Sequence, residues 1–273
     1  MASITDCVSE GLKYPFNDIQ KILSFGVLFT IINFITFAIL EKTINIVRII
    51  SLANGKNLAF KASHVPSTDI YIITGLAIIS FIVVLIINGY QYNVIKFTID
   101  RKTDLPGFNN ILNLFVDGLK YFIVSLIYNI MPIIVLIGGF QLQSIQNGDY
   151  LISIISMILF IICNLLLIMA LANMVDSGEL KKAFDLKKII DKISNLGWMK
   201  YIGIIIFTFI IYCIIMLALG VILMFITMFM AMAFSQAMII IAVLSIIEGL
   251  FINSYISMFF SRVYGSIYNE AIK

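Results

Sequence analysis

Apolar positions in this chain gather into long, nearly unbroken runs, and polar positions are confined to the links between them. Runs at 22–40, 70–94, 121–140 and 150–174 are each long enough for one helix across a membrane, which takes about 20 apolar residues. The stretch 201–260 is almost wholly apolar and too long for one crossing, so it predicts two helices, 201–228 and 239–261. Their turn is expected between about 230 and 237, where Ser235 and Gln236 are the polar pair. The pattern therefore predicts an all-α integral membrane protein, a single polytopic domain over 1–273, with six transmembrane helices as three hairpins.

The links carry their own pattern. Phe16-Asn17-Asp18, Phe108-Asn109-Asn110 and Phe184-Asp185-Leu186 each open an amphipathic stretch leading into a hairpin. Pro15 and Pro106-Gly107 end the preceding structure in the first two, and the Asn or Asp is placed to cap the next helix. Three units of one design are expected, each preceded by a cytoplasmic interfacial segment. In the third, Phe184, Leu186, Ile189, Ile190 and Ile193 recur at helical spacing among Lys181, Lys182, Lys187, Lys188 and Lys192. That pattern suits a helix on anionic headgroups with its apolar stripe toward the acyl chains; a solvated helix packed on its own protein reads equally well. Between the first two spans, 41–69 is a long link in which Arg48 interrupts an apolar stretch; either the first helix runs on or a short helix lies on the interface. Asn54-Gly55 is a turn signal there, 141–149 is a polar turn without a cation, Arg262 marks the exit from the last span, and 264–273 reads as a polar tail.

Composition agrees with lipid as the solvent: 61% of residues are hydrophobic and 12% charged, against about 25% charged in soluble domains. With six spans, one side holds fourteen Lys and Arg and the other four, which places both termini in the cytoplasm of a cell-membrane protein. No cleavable leader is expected, because the first residues lack an apolar run with a small-residue cleavage site. Cys7, Cys163 and Cys213 have neither disulfide nor metal spacing.

Asn88-Gly89-Tyr90, Leu105-Pro106-Gly107-Phe108, Asp117-Gly118-Leu119-Lys120 and Tyr128 with Pro132 together resemble the family catalogued as domain of unknown function 4013. Leu12-Lys13-Tyr14-Pro15-Phe16 and Ala183-Phe184-Asp185-Leu186 are similar to it as well. The resemblance implies an archaeal-type, six-span membrane fold and brings no activity. Where such proteins often carry Trp or an acid after Pro-x-Phe, this chain has Asn109, Asn110 and Ile111.

Glu248 is the one ionisable acid or base well inside an expected span, where a charge costs about 2.5–3.5 kcal/mol on insertion scales. Ser245 and Tyr255 fall near its helical face, and Asn33, Asn88, Asn129, Asn164 and Tyr212 could reach it from other helices. It reads either as a proton- or cation-coupled site or as a neutral hydrogen-bonded packing group, and the absence of a basic partner within a span favours the second. Pro132 predicts a kink in the third span. Asp100, Arg101, Asp104 and Asp117 read as a salt-bridged turn, and lone His64 has no metal partner. No phosphate-binding, zinc-protease, nucleophile-elbow or dinucleotide motif occurs, so no enzyme, catalytic residue, metal, cofactor or nucleic-acid partner is expected. The sequence favours a small-molecule or ion permease or its accessory subunit, then a non-catalytic membrane organiser or lipid-associated protein, then a lipid-modifying enzyme. Anionic lipid headgroups and a second copy or membrane partner are the expected partners.

Overall fold

The computed structural model describes residues 4–55, 66–140, 148–233 and 237–273. His64, most of the 141–149 turn, and Ser235 with Gln236 lie outside them. The described residues are almost entirely helical. Helix α1 (Ile4–Lys13) leads through a 3-10 turn (Tyr14–Asn17) into α2 (Ile19–Gly55). Next come α3 (Ser67–Ile99), α4 (Ile111–Phe140) and α5 (Gly148–Ser177). A second 3-10 turn (Leu180–Phe184) precedes the short α6 (Leu186–Leu196) and the long α7 (Trp198–Ala233). The last helix comprises α8 (Ala237–Ile247), a wide π-helical turn (Glu248–Asn253) and α9 (Ser254–Ala271). Six of these stretches are long and apolar enough to cross a membrane, and the protein is an all-α membrane protein.

All three expected caps form. Asp18 Oδ1 accepts from the Lys21 amide (3.1 Å), Asn110 Oδ1 from the Asn113 amide (3.2 Å) and Asp185 Oδ1 from the Lys188 amide (3.4 Å). Each satisfies an amide that the first helical turn leaves without a partner. The Phe beside each cap meets a tyrosine: Phe16 meets Tyr255, Phe108 stacks on Tyr90 and Phe184 stacks on Tyr128. Each tyrosine hydroxyl in turn donates to a carbonyl shortly before its Phe, at Leu12 (3.0 Å), Pro106 (3.2 Å) and Ala183 (2.7 Å).

Helices of different units cross closely, and at two of the crossings backbone meets backbone. A Cβ on Gly118 would collide with the Leu85 carbonyl and one on Gly89 with the Leu114 carbonyl, so α3 and α4 touch backbone to backbone. A Cβ on Gly26 would lie 2.5 Å from Leu250 Cα, and one on Gly249 would lie 2.5 Å from the Thr30 amide nitrogen. In lipid, where apolar burial drives little, such small-residue contacts are what bring helices together.

The buried core gathers at the end that holds α1 and α6. Cys7, Tyr14, Tyr90, Met169, Ile193, Tyr201, Phe259 and Tyr268 are among its buried residues. We call this compact end the foot. Away from it the helices expose Val47, Ile78, Ile134, Ile158, Phe225 and Met228, as lipid-facing surfaces do.

Of the two readings of the link after the first span, the first holds: the helix runs on, and the apolar residues around Arg48 belong to α2, which continues through Gly55. Other expectations need correction. Helix α4 starts at Ile111, so its amphipathic lead-in and its span are one helix. The stretch 264–273 is not a tail: α9 runs to Ala271, with Gly265, Ser266, Ile267, Tyr268 and Ala271 buried. Arg262 marks no exit but sits 4% exposed inside the foot.

Candidate functional site

The polar residues singled out within the spans do not converge. Glu248 is the first residue of the wide turn, is exposed, and makes no hydrogen bond or ion pair with a described residue. The Ser245 carbonyl accepts from Asn33 Nδ2 (3.1 Å), which ties α8 to α2. Asn164 Nδ2 donates to Asn129 Oδ1 (3.3 Å), tying α5 to α4, while Asn129 Nδ2 returns to the Ser125 carbonyl. Tyr212 packs its ring against Phe209 and Phe260, joining α7 to α9. Helix α4 continues through Pro132, whose carbonyl accepts from the Ser156 hydroxyl (3.0 Å). These are separate helix-to-helix contacts of the kind that fix packing in membranes.

The lysine cluster divides. Lys181 and Lys188 are exposed and pair with Glu179 (3.3 Å) and Asp185 (3.6 Å). Lys187 is exposed too, and the Lys182 carbonyl accepts from Asn173. Around them Phe184, Leu186, Ile190, Trp198 and Met199 are also exposed. Lys192 does not belong to this outward-facing set. Its ammonium donates to Asn173 Oδ1 (2.7 Å) and to the Tyr268 hydroxyl, and lies 4.1 Å from the centre of the Tyr268 ring. Burial lowers its pKa, an effect opposed by the carboxylate of Asp176. Tyr268 donates to that carboxylate (2.7 Å), so α5, α6 and α9 are pinned by one cluster.

A second cluster centres on Arg262, whose place in the sequence suggests only a boundary. Its guanidinium donates to the Lys102 carbonyl (2.7 Å), the Thr98 hydroxyl (3.3 Å) and Glu10, and lies over the Tyr14 ring at 4.4 Å. Arg101 takes the left-handed conformation (φ 57°) where α3 ends, which turns the following Lys102 carbonyl toward Arg262. The Ser266 hydroxyl donates to the other Glu10 oxygen (3.1 Å), Asn269 donates to the Thr98 carbonyl (2.7 Å), and Lys200 pairs with Glu270 (3.5 Å). A polar cavity of about 300 Å³ lies against this cluster, with Asp6, Arg101, Glu270 and Lys273 among its walls. Cys7 also lines it, but burial and then Glu270 and Glu10 push its thiol up to about 11, so it stays protonated and is a poor nucleophile. Burial pushes Tyr14 up to about 12. The signal that could have found this cluster is the spacing of Met258, Phe259, Val263, Ile267 and Ala271, a helical stripe that carries Arg262 and Ser266 into the core with it.

An apolar cavity of about 470 Å³ lies elsewhere, between the start of α2, the middle of α7 and the wide turn. Phe16, Ile19, Ile22, Leu23, Ile215, Leu219, Phe251, Ile252 and Tyr255 line it. A smaller one of about 170 Å³ lies nearer the start of α7, against Ile168, Phe260 and Ile267. Helix α7 thus borders two gaps along its length, and no residue of its most apolar stretch is buried.

Six apolar helices standing on a polar-pinned foot define a multi-pass membrane protein in which paired internal charges serve architecture. The family described as Protein of unknown function (DUF4013) matches residues 72–224, more than half of the chain, and the protein belongs to that family. No curated protein and no solved structure matches it.

Proposed function

We propose that this is a non-catalytic, lipid-associated membrane organiser of the cell membrane, with both termini and the foot in the cytoplasm. The observation that carries the reading is the segment 181–199, where exposed Lys181, Lys187 and Lys188 alternate with exposed Phe184, Leu186 and Ile190. The stack of Phe184 on Tyr128 holds this segment against α4, where Leu126, Ile127 and Ile130 face outward. Lysines above an apolar rim beside lipid-facing residues suit an anionic inner leaflet, at about 1 kcal/mol per basic residue near its surface. The excess of Lys and Arg on the side of the termini supports the same orientation.

The permease reading draws its support from the wide turn, since π-helical turns recur at functional sites and this one begins at Glu248. It ranks second because that carboxylate is exposed and lines neither the apolar cavity beside α7 nor the polar one in the foot.

The test compares thermal unfolding in detergent with added anionic or zwitterionic phospholipid. Wild type is expected to gain more from the anionic lipid, and the gain to shrink with salt. Substituting Gln at Lys181, Lys182, Lys187 and Lys188 should remove the difference. An unchanged difference in that variant leaves the lysines only a topological role and overturns the reading.

A further inference from the structure

We propose that the apolar cavity between α2, α7 and the wide turn is a binding site for one hydrocarbon tail of a membrane lipid. The inference rests on the lipid-associated reading and names a place where a lipid is held. Its walls present carbon almost everywhere. The one hydroxyl among the lining residues, that of Tyr255, is engaged by the Leu12 carbonyl at 3.0 Å. A polar ligand would find no partner there, and neither would water. The volume, about 470 Å³, falls in the range of small-ligand pockets, about 300–1,000 Å³.

The cavity is held open by the architecture. Helix α7 is fixed at its base, where the Tyr201 hydroxyl donates to the Leu165 carbonyl and Lys200 pairs with Glu270. On the opposite wall the wide turn adds a residue to the helical repeat where Phe251 and Ile252 line the cavity. The mouth has the placement a lipid needs. Phe16 and Ile19 are 67% and 64% exposed there, and Asn17, Asp18 and Lys21 adjoin them at the polar border. A tail can lie inside while its headgroup stays among polar groups.

Shape favours a tail over a partner helix. A helix is a rigid rod about 10–12 Å across, whereas an acyl chain is thin and bends to follow the walls.

The experiment uses the full chain in nanodiscs containing a trace of phospholipid with a photoactivatable diazirine midway along one acyl chain. After irradiation, labelled peptides are identified by mass spectrometry. Labelling is expected to concentrate on the segments holding Ile215 with Leu219 and Phe251 with Tyr255. Leu219→Trp, which fills the cavity, should lower labelling around Phe251 at least fivefold. Leu217→Trp, at a position 72% exposed on the same helix, should leave it unchanged. Ile215→Ala, which only enlarges the space, should retain it. The four-lysine Gln variant should also retain it, so a failure of the leaflet reading and a failure of the tail site give different results. Labelling of wild type spread evenly over the exposed faces of all six spans overturns the proposal, as does labelling near Phe251 that Leu219→Trp leaves intact.

Discussion

The first two repeat units and the third begin alike and end differently. Each starts with a Phe and a capping side chain, and eight residues beyond the cap a buried position faces the rest of the molecule. In the first two units that position is Gly26 and Gly118, and there the helix meets another backbone. In the third it is Ile193, fully buried in the foot. Helix α6 then stops at Leu196, Gly197 turns the chain with φ 90°, and α7 sets out anew, bordered by two apolar cavities. The difference teaches that one side-chain position governs how a hairpin is used. A glycine lets the helix join its neighbours directly, whereas an isoleucine commits the same stretch to the foot and leaves the following span standing apart.

The largest expected effect comes from closing the glycine gaps. Gly118→Ala should cost about 3 kcal/mol, because the new methyl meets a main-chain carbonyl that cannot rotate away. Gly26→Ala, with more room at its crossing, should cost less, and unfolding in a graded detergent series ranks the two. Equal, negligible losses would show that the crossings do not hold the units together. Ile193→Ala should cost about 2–4 kcal/mol by the opposite mechanism, a cavity in the foot. Restoring a small residue there should not draw α7 inward, because Lys200 and Tyr201 still fix its base; cysteine crosslinking between α7 and α2 tests this. The smallest effects belong to the feature all three units share. Asp18→Ala, Asn110→Ala and Asp185→Ala should each cost about 1 kcal/mol, nearly alike, in the same unfolding assay. A loss confined to one of them would show that the caps are equivalent in sequence but not in energy.

How much the sequence discloses depends on the range of each interaction. The spans were legible because a run of about 20 apolar residues has no other home than lipid or a core. The caps were legible because the interaction spans three residues. The foot was not, because its partners are far apart in the chain. Arg262, Asn269 and Glu270 look like a solvated end until they are matched with Glu10, Thr98 and Lys200. Glu248 stood out for the converse reason: composition flags a charge in a span but does not say which face of the helix carries it. Lys192 looked like its neighbours, yet its helical phase turns it onto Tyr268. The contrast between Gly26, Gly118 and Ile193 was present all along at a fixed distance from the caps, and only the crossings gave it meaning.

The pairing of Glu10 with Arg262 has a consequence for how the protein is made. The two residues are 252 positions apart, and at about 5–20 residues per second a ribosome needs on the order of tens of seconds to pass from one to the other. Throughout that time α1 has been synthesised but lacks α9, the helix whose Phe259 and Val263 pack against Gly11. Completion of the foot is therefore a late event, after every span has entered the bilayer. A nascent chain halted before α9 should keep its N-terminal helix open to proteases, and the finished chain should not.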